Sequence, residues 1–190
     1  MNVKTIQLDV MDGEFVPNTS LQFDFTVPRK SHSGQPLSLT YEAHLMIEHP
    51  EQWIEEHGDK VDIILPHFES CTDPDSIIAL AREKGKKIGF AIGPKTPIET
   101  IIPYLGQIDM VNVMTGEPGK YGTPFDPETL IKVEELRKLR NDIDIEVDVG
   151  ITPSTIGKAS RAGANKFISG SYLQNSSNTK QAIAELQKNW

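Results

Sequence analysis

A single cysteine, Cys71, is all this sequence carries, so no disulfide can close within the chain and nothing asks for an oxidising compartment. Basic residues are outnumbered: 19 Lys and Arg stand against 27 Asp and Glu, for a net charge of −8. With no basic stripe, that balance argues against a nucleic-acid surface. Long apolar runs are missing, as is a signal-like N-terminus, so no membrane span is expected and the cytoplasm is the expected compartment. Low-complexity tracts are absent and aromatics are only 7%. What is present suits a globular protein: 190 residues, 37% hydrophobic and 24% charged, expected to form a single domain over 1–190. An acidic chain can still hold a phosphate, because backbone N–H groups at turns and helix starts bind anions.

The chain is organised around Gln7 to Asn18. Val3, Ile6, Leu8 and Val10 make a short apolar run that reads as a strand. Asp12-Gly13 is a turn signal, and Pro17-Asn18 closes the loop. Asp9 therefore falls near the C-terminal end of a strand. A carboxylate there is either a base or metal ligand, or an aspartate capping a turn. A polar, Pro- and Gly-bearing loop over Thr19 to Ser38 follows.

From there strands and helices alternate. Strands are expected over Leu37–Ile47, Val61–Leu65, Ile88–Ile92, Met110–Met114, Ile143–Val147 and Lys166–Ser169. Helices are expected to open at His49-Pro50, Asp73-Pro74, Asp126-Pro127 and Thr152-Pro153, each a polar cap followed by a proline pre-set for the first helical position. Thr96 to Glu99 has capping-box spacing and predicts another helix. A last helix is expected from Thr179 to Lys188. Seven strands alternating with helices imply a parallel sheet and favour a (β/α) barrel over a doubly wound sheet.

Asp9, His44, His67 and Asp148 each fall at or just past a strand end, where barrel chemistry gathers. Carboxylates and imidazole suit a divalent metal, and two opposed carboxylates suit proton transfer on both faces of a carbon. A lone histidine in such a place also serves as a hydrogen-bonded core residue. Asp148-Val149-Gly150 and Ser169-Gly170-Ser171 end the last two strands. They are candidate phosphate loops, with two ordinary βα turns as the alternative. Glu117 to Gly122 reads either as a lid hinged at Gly119 and Gly122 or as a surface loop.

Over essentially its whole length the sequence resembles the ribulose-phosphate 3-epimerase family. The resemblance rests on Asp9-Val10-Met11-Asp12-Gly13, Phe15-Val16-Pro17-Asn18, His44-Leu45-Met46, Met114-Thr115, Glu117-Pro118-Gly119, Glu146-Val147-Asp148, Ala162-Gly163-Ala164-Asn165 and Ser169-Gly170-Ser171, in order. It implies a TIM barrel that inverts C3 of D-ribulose 5-phosphate to give D-xylulose 5-phosphate, in the pentose phosphate pathway. It also implies that Asp9 and Asp148 are the acid–base pair. A divalent metal (Zn, Mn, Fe or Co) held by Asp9, His44 and Asp148 would stabilise the enediolate. Met11, Met46 and Met114 would crowd the reacting carbons, and Gly150, Gly170 and Ser171 would hold the phosphate. His67 would stand close to the substrate without ligating the metal, Gly119 and Gly122 would belong to the lid, and homo-oligomers would be expected.

Departures from the family pattern are specific. Gln7 stands where the family has a fourth metal ligand, histidine, and a neutral amide is a weaker donor for a transition metal. Val149 replaces a glycine beside the expected phosphate, and Tyr121 and Thr123 replace a glycine and a glutamine of the lid. The family's first strand and helix have no counterpart, so the chain is expected to be a shortened barrel of seven βα units with reduced stability and activity. A truncated start is the favoured explanation, ahead of a gap filled by a partner chain or a diverged open barrel. Two other functions stay open: epimerisation of another ketose phosphate such as allulose 6-phosphate, and a catalytically silent sugar-phosphate-binding barrel.

Overall fold

A computed structural model describes residues 3–20, 25–31 and 33–190. Residues 21–24 and 32, part of the long loop expected after the first strand, lie outside the described residues. The chain falls into two compact units, Asn2–Gly89 and Phe90–Trp190. Among the described residues there are seven strands, alternating with helices and turns.

In the N-terminal unit, β1 (Thr5–Met11), β2 (Thr40–Met46), β3 (Ile63–Pro66) and the start of β4 (Lys87–Ile92) pair in parallel and in sequence order. Ala43, Leu45, Ile64 and Leu65 are fully buried. Full burial of a leucine or isoleucine side chain such as Leu45, Ile64 or Leu65 stabilises by roughly 1.5–3 kcal/mol. α1 (Pro50–His57) and α2 (Pro74–Glu83) carry the expected proline in their first turn. Asp73 caps α2 by accepting the Ser76 N–H at 3.2 Å, and Ile54, Ile77 and Ala81 face the core. After β1 the chain turns back through a bridge between Asp12 and Thr19.

The C-terminal unit repeats the pattern with β5 (Met110–Met114), β6 (Asp144–Asp148) and β7 (Lys166–Phe167), again parallel. Its helices are α3 (Leu130–Leu139), α4 (Ile156–Ala162), α5 (Ser171–Gln174) and α6 (Thr179–Asn189). Lys132 Nζ donates to the carbonyls of Gly93, Pro94 and Thr96 at 2.7–2.8 Å, fastening the segment after β4 to α3. Gly163 ends α4 at φ +116°, and a side chain there would meet Arg137 at 2.9 Å.

Three local expectations need correction. Thr96–Glu99 opens no α-helix; two single 3₁₀ turns, Ile98–Thr100 and Ile102–Tyr104, stand there. Pro103 has no N–H to give and its ring would strike the preceding turn, so a longer helix cannot pass it. The helix expected from Thr152-Pro153 begins only at Ile156. Thr155 Oγ1 donates to the Gly150 carbonyl at 2.8 Å and accepts the Thr152 N–H at 2.8 Å, holding a turn in between. The last strand stops at Phe167 rather than Ser169, and Ser169 instead donates to the Ile151 carbonyl at 2.8 Å.

Candidate functional site

Strand periodicity decides which side chains share a face. On β1 these are Gln7, Asp9 and Met11; on β2 they are Glu42, His44 and Met46. The parallel register sets them in pairs: Gln7 with Glu42, Asp9 with His44, Met11 with Met46. The C-terminal unit has the same layering. Asn112 pairs with Glu146, and one pleat further Met114 pairs with Asp148. In both units a buried polar layer (Glu42 0%, Asn112 0%, Glu146 1% exposed) precedes the strand-end residues picked out from the sequence.

At the end of β1 and β2 the predicted residues do come together. His44 is fully buried, whereas the Asp9 side chain is 55% exposed, and His44 Nδ1 lies 3.6 Å from Asp9 Oδ1. Gln7 Nε2 is 2.8 Å from the same Nδ1. On its other side, His44 Nε2 is 3.0 Å from His67 Nε2, and His67 Nδ1 is 3.1 Å from Glu69 Oε2. The two imidazole planes lie 22° apart with centroids 5.0 Å apart, a nearly head-to-head arrangement, and Phe15 lies 4.8 Å from His67. Burial holds His67 below the ordinary imidazole range, against the opposing pull of the Glu69 carboxylate.

Asp12, read from the sequence only as part of a turn, ties two loops together. Its carboxylate accepts the N–H groups of Glu14 (2.9 Å) and Phe15 (3.0 Å) in its own loop, and of Glu48 (2.8 Å) after β2. Burial pushes this carboxyl up, but the backbone donors outweigh burial and hold it below its usual range. Cys71 Sγ lies 3.2 Å from the His67 carbonyl oxygen. Burial and the carboxylates of Glu51 and Glu69 push its thiol up to about 12, and a thiol in that state is not a nucleophile.

At the end of β6, backbone geometry dominates. Asp148 Oδ1 accepts the N–H of Val149 at 2.7 Å. Thr115, just past β5, donates its N–H to the Asp148 carbonyl at 2.7 Å, and its single hydroxyl hydrogen is shared between the carbonyls of Asp148 and Val149, which lie 2.7 and 2.6 Å from Oγ1. Val149 has φ +87°, the left-handed region that a β-branched residue rarely adopts. Gly150 follows at φ +68°, and a Cβ there would lie 2.6 Å from the Phe125 backbone nitrogen. Close packing on Phe125 thus explains Gly150 without any ligand.

Ser171 begins the four-residue α5. With Thr152, Tyr172, Asn175 and Gln181 it lines a pocket of about 500 Å³ whose lining includes Glu185 and no Lys or Arg. Gly170 sits at ordinary φ with open space where a Cβ would be. In the Glu117–Gly122 segment, Gly119 and Gly122 have φ +70° and +71°. Between them Tyr121 is 64% exposed and donates its hydroxyl to Asn175 Oδ1 at 3.1 Å.

Among the described residues no group of three or more His, Cys, Asp or Glu is arranged to hold a metal ion. Part of a donor set is present in the N-terminal unit. Two ligands of one tetrahedral ion stand about 3.4 Å apart when each bond is about 2.1 Å. The 3.6 Å between Asp9 Oδ1 and His44 Nδ1 is close to that. A carboxylate oxygen beside an imidazole nitrogen is a donor pair that zinc and its neighbours accept.

Comparisons with known proteins give clear matches. The model of the ribulose-phosphate 3 epimerase family matches residues 1–174. Ribulose-phosphate 3-epimerase from Schizosaccharomyces pombe is 37% identical over 183 residues, covering 96% of this chain and 80% of the relative. The Bacillus subtilis protein of the same name is 34% identical over 189 residues, covering 96% and 85%. Among solved structures, 3-hexulose-6-phosphate synthase from Salmonella typhimurium superposes with a TM-score of 0.62 at 19% identity, over 80% of this chain and 73% of that one. Orotidine 5'-phosphate decarboxylase from Pyrococcus horikoshii gives 0.56 at 16%, over 80% and 74%. At such identities the structural likenesses speak for the fold alone, which is of the TIM-barrel type.

Proposed function

The chain belongs to the ribulose-phosphate 3 epimerase family, a family of isomerases, and from that premise we propose that it inverts C3 of D-ribulose 5-phosphate to give D-xylulose 5-phosphate. The observation that supports this most is the repeated register. Asp148 ends β6 and Asp9 lies two residues before the end of β1, each one pleat beyond a buried polar layer, on the face its strand shares with Met114 or His44.

In this reading residues 1–190 act as one sugar-phosphate-binding domain. Asp9 and Asp148 are the proton-transfer pair: one removes the C3 proton and the other returns a proton from the opposite face. Asp9 suits the role because its exposed carboxylate is backed by a buried imidazole. Asp9, His44 and Asp148 would hold a divalent ion, with Gln7 as a weak fourth donor. Such an ion, when bound, supplies Lewis-acid polarisation of the substrate carbonyl oxygen. Met11, Met46 and Met114 border the reacting carbons, and His67 lies behind His44. Gly150, Gly170 and Ser171 receive the phosphate through backbone N–H groups and the serine hydroxyl, and Gly119 and Gly122 hinge a covering loop. The cytoplasm is the compartment, in keeping with the rice relative named a cytoplasmic isoform, and a homo-oligomer is the expected assembly.

A second reading is a sugar-phosphate binder without turnover. Gln7 and the strained Val149 at φ +87° favour it. An epimerase assay with D-ribulose 5-phosphate, with and without added Mn²⁺, Zn²⁺, Co²⁺ or Fe²⁺, separates the two. Metal-stimulated turnover, lost in Asp148→Asn, and exchange of the C3 proton with solvent in the unmodified chain are expected. No exchange under any metal would overturn the epimerase in favour of the binder; exchange with allulose 6-phosphate alone would move the substrate to a hexulose.

A further inference from the structure

The four groups behind Asp9 form one line within the N-terminal unit: Gln7, His44, His67 and Glu69. Their contacts run Gln7 Nε2 to His44 Nδ1 at 2.8 Å, His44 Nε2 to His67 Nε2 at 3.0 Å, and His67 Nδ1 to Glu69 Oε2 at 3.1 Å. A neutral imidazole has one N–H and one bare nitrogen, and each contact needs one donor and one acceptor. The line can therefore be read from its charged end. The Glu69 carboxylate only accepts, so His67 Nδ1 carries the hydrogen. Both rings are buried, His44 at 0% and His67 at 1% exposed, which disfavours an imidazolium. His67 Nε2 is then bare and must accept from His44 Nε2. That leaves His44 Nδ1 bare, and the Gln7 amide N–H meets it as a donor. All three contacts are satisfied by this one assignment.

We propose that Glu69, acting through His67, is a positioning residue that locks His44 in its Nε2–H form and so presents the bare Nδ1 beside Asp9. Glu69 meets His67, and His67 in turn meets His44, so the carboxylate's influence passes through one imidazole. Only an unprotonated nitrogen can ligate a metal ion, which here also requires the Gln7 N–H to turn away from Nδ1, and partners one and two bonds behind a ligating histidine commonly fix its tautomer. The use of Nδ1 as a ligand rests on the epimerase reading above. The tautomer does not, since it follows from the three contacts and the burial of both rings.

Long-range ¹H–¹⁵N correlation spectra of the histidine-labelled full chain, at neutral pH without metal, read the tautomers directly. His44 is expected as Nε2–H and His67 as Nδ1–H. In Glu69→Leu, a change at a position exposed enough to be tolerated, the Nδ1–H form of His44 should appear. Glu69→Gln keeps a carbonyl acceptor and should retain the wild-type pattern. Mn²⁺ affinity should fall about 10–100-fold in Glu69→Leu and hold in Glu69→Gln. His44 found as Nδ1–H or as imidazolium in the wild type would overturn the proposal, and so would unchanged tautomers in a folded Glu69→Leu. If Glu69→Leu does not fold, the wild-type spectrum decides by itself. Expected tautomers with no Mn²⁺ binding to the wild type would support the positioning role and count against the metal reading.

Discussion

At the ends of β1 and β2, side chains fix other side chains: Asp9 is backed by His44, His44 by Gln7 and His67, and His67 by Glu69. At the end of β6 the backbone does that work, with Thr115 clasping the carbonyls of Asp148 and Val149 and with Val149 held at φ +87°. The first arrangement is relaxed and sensitive to donor–acceptor chemistry. The second stores strain and is sensitive to volume. One carboxylate in each cluster is proposed for the same reaction, so two different kinds of mutation should reach it.

Breaking the shared chemistry gives the largest effect. Asp148→Asn and Asp9→Asn should each lower epimerase turnover by about 10²–10⁴-fold, the usual contribution of a general acid or base. Both variants should keep the wild-type circular dichroism spectrum, because neither carboxylate supports the core. A drop in one variant only would show that the two clusters do not share a reaction.

Volume sharpens the difference next. A Cβ on Gly116 would lie 2.5 Å from Val149 Cγ1 and 3.0 Å from Thr123 Cγ2. Gly116→Ala should therefore cost about 1–3 kcal/mol by overpacking, measured by urea unfolding. Val149→Gly in the same chain should recover much of that loss in a double-mutant cycle. Gly150→Ala should not be rescued that way, because its obstacle is the Phe125 backbone.

Val149→Gly alone should stabilise by about 1 kcal/mol. Relief of left-handed strain contributes roughly 1–3 kcal/mol, and the greater freedom of glycine in the unfolded chain takes back about 0.4–1 kcal/mol. A rise in Tm would confirm that strain sits at this position. A fall would mean that the valine side chain packs well enough to outweigh it.

The smallest effect probes the hydrogen-bonded cluster through pH. The Asp12 carboxyl lies below its usual range in the folded protein, so its contribution is complete above the unfolded value near 4 and is lost as pH falls through the folded value. Asp12→Asn should cost about 1 kcal/mol at pH 7. The gap between variant and wild type should close in acid, as unfolding curves at pH 7, 4 and 2.5 would show.

Much of the fold was legible in the chain order. Short apolar runs separated by Pro- and Gly-marked breaks located all seven strands to within a few residues. The helix openings at Pro50 and Pro74 followed from a proline's fixed φ. Legibility failed where two local signals competed. Thr96 to Glu99 looks like a helix start, but Pro103 lies six residues beyond Pro97 and stops it. At Thr152-Pro153, a hydroxyl three residues on captured the turn before the helix could begin. Of the candidate site, the strand-end places of Asp9, His44, His67 and Asp148 were readable. Glu69 and Asp12 were not, because nothing in their local spacing tells which distant group they will meet.

The sequence by itself determined the strand–helix alternation, the face on which each strand-end residue stands, and the family, since periodicity and motif order are properties of the chain alone. Tertiary structure decided the rest. Only folding brings Gln7 to His44 across 37 positions and His44 to His67 across 23. Only folding forces Val149 into the left-handed region, where Phe125 and Thr115 close on the β6 turn. The physical reason is range. Propensity and turn chemistry act between near neighbours, whereas the donor, acceptor and contact distances that define a site exist only once distant strands are paired.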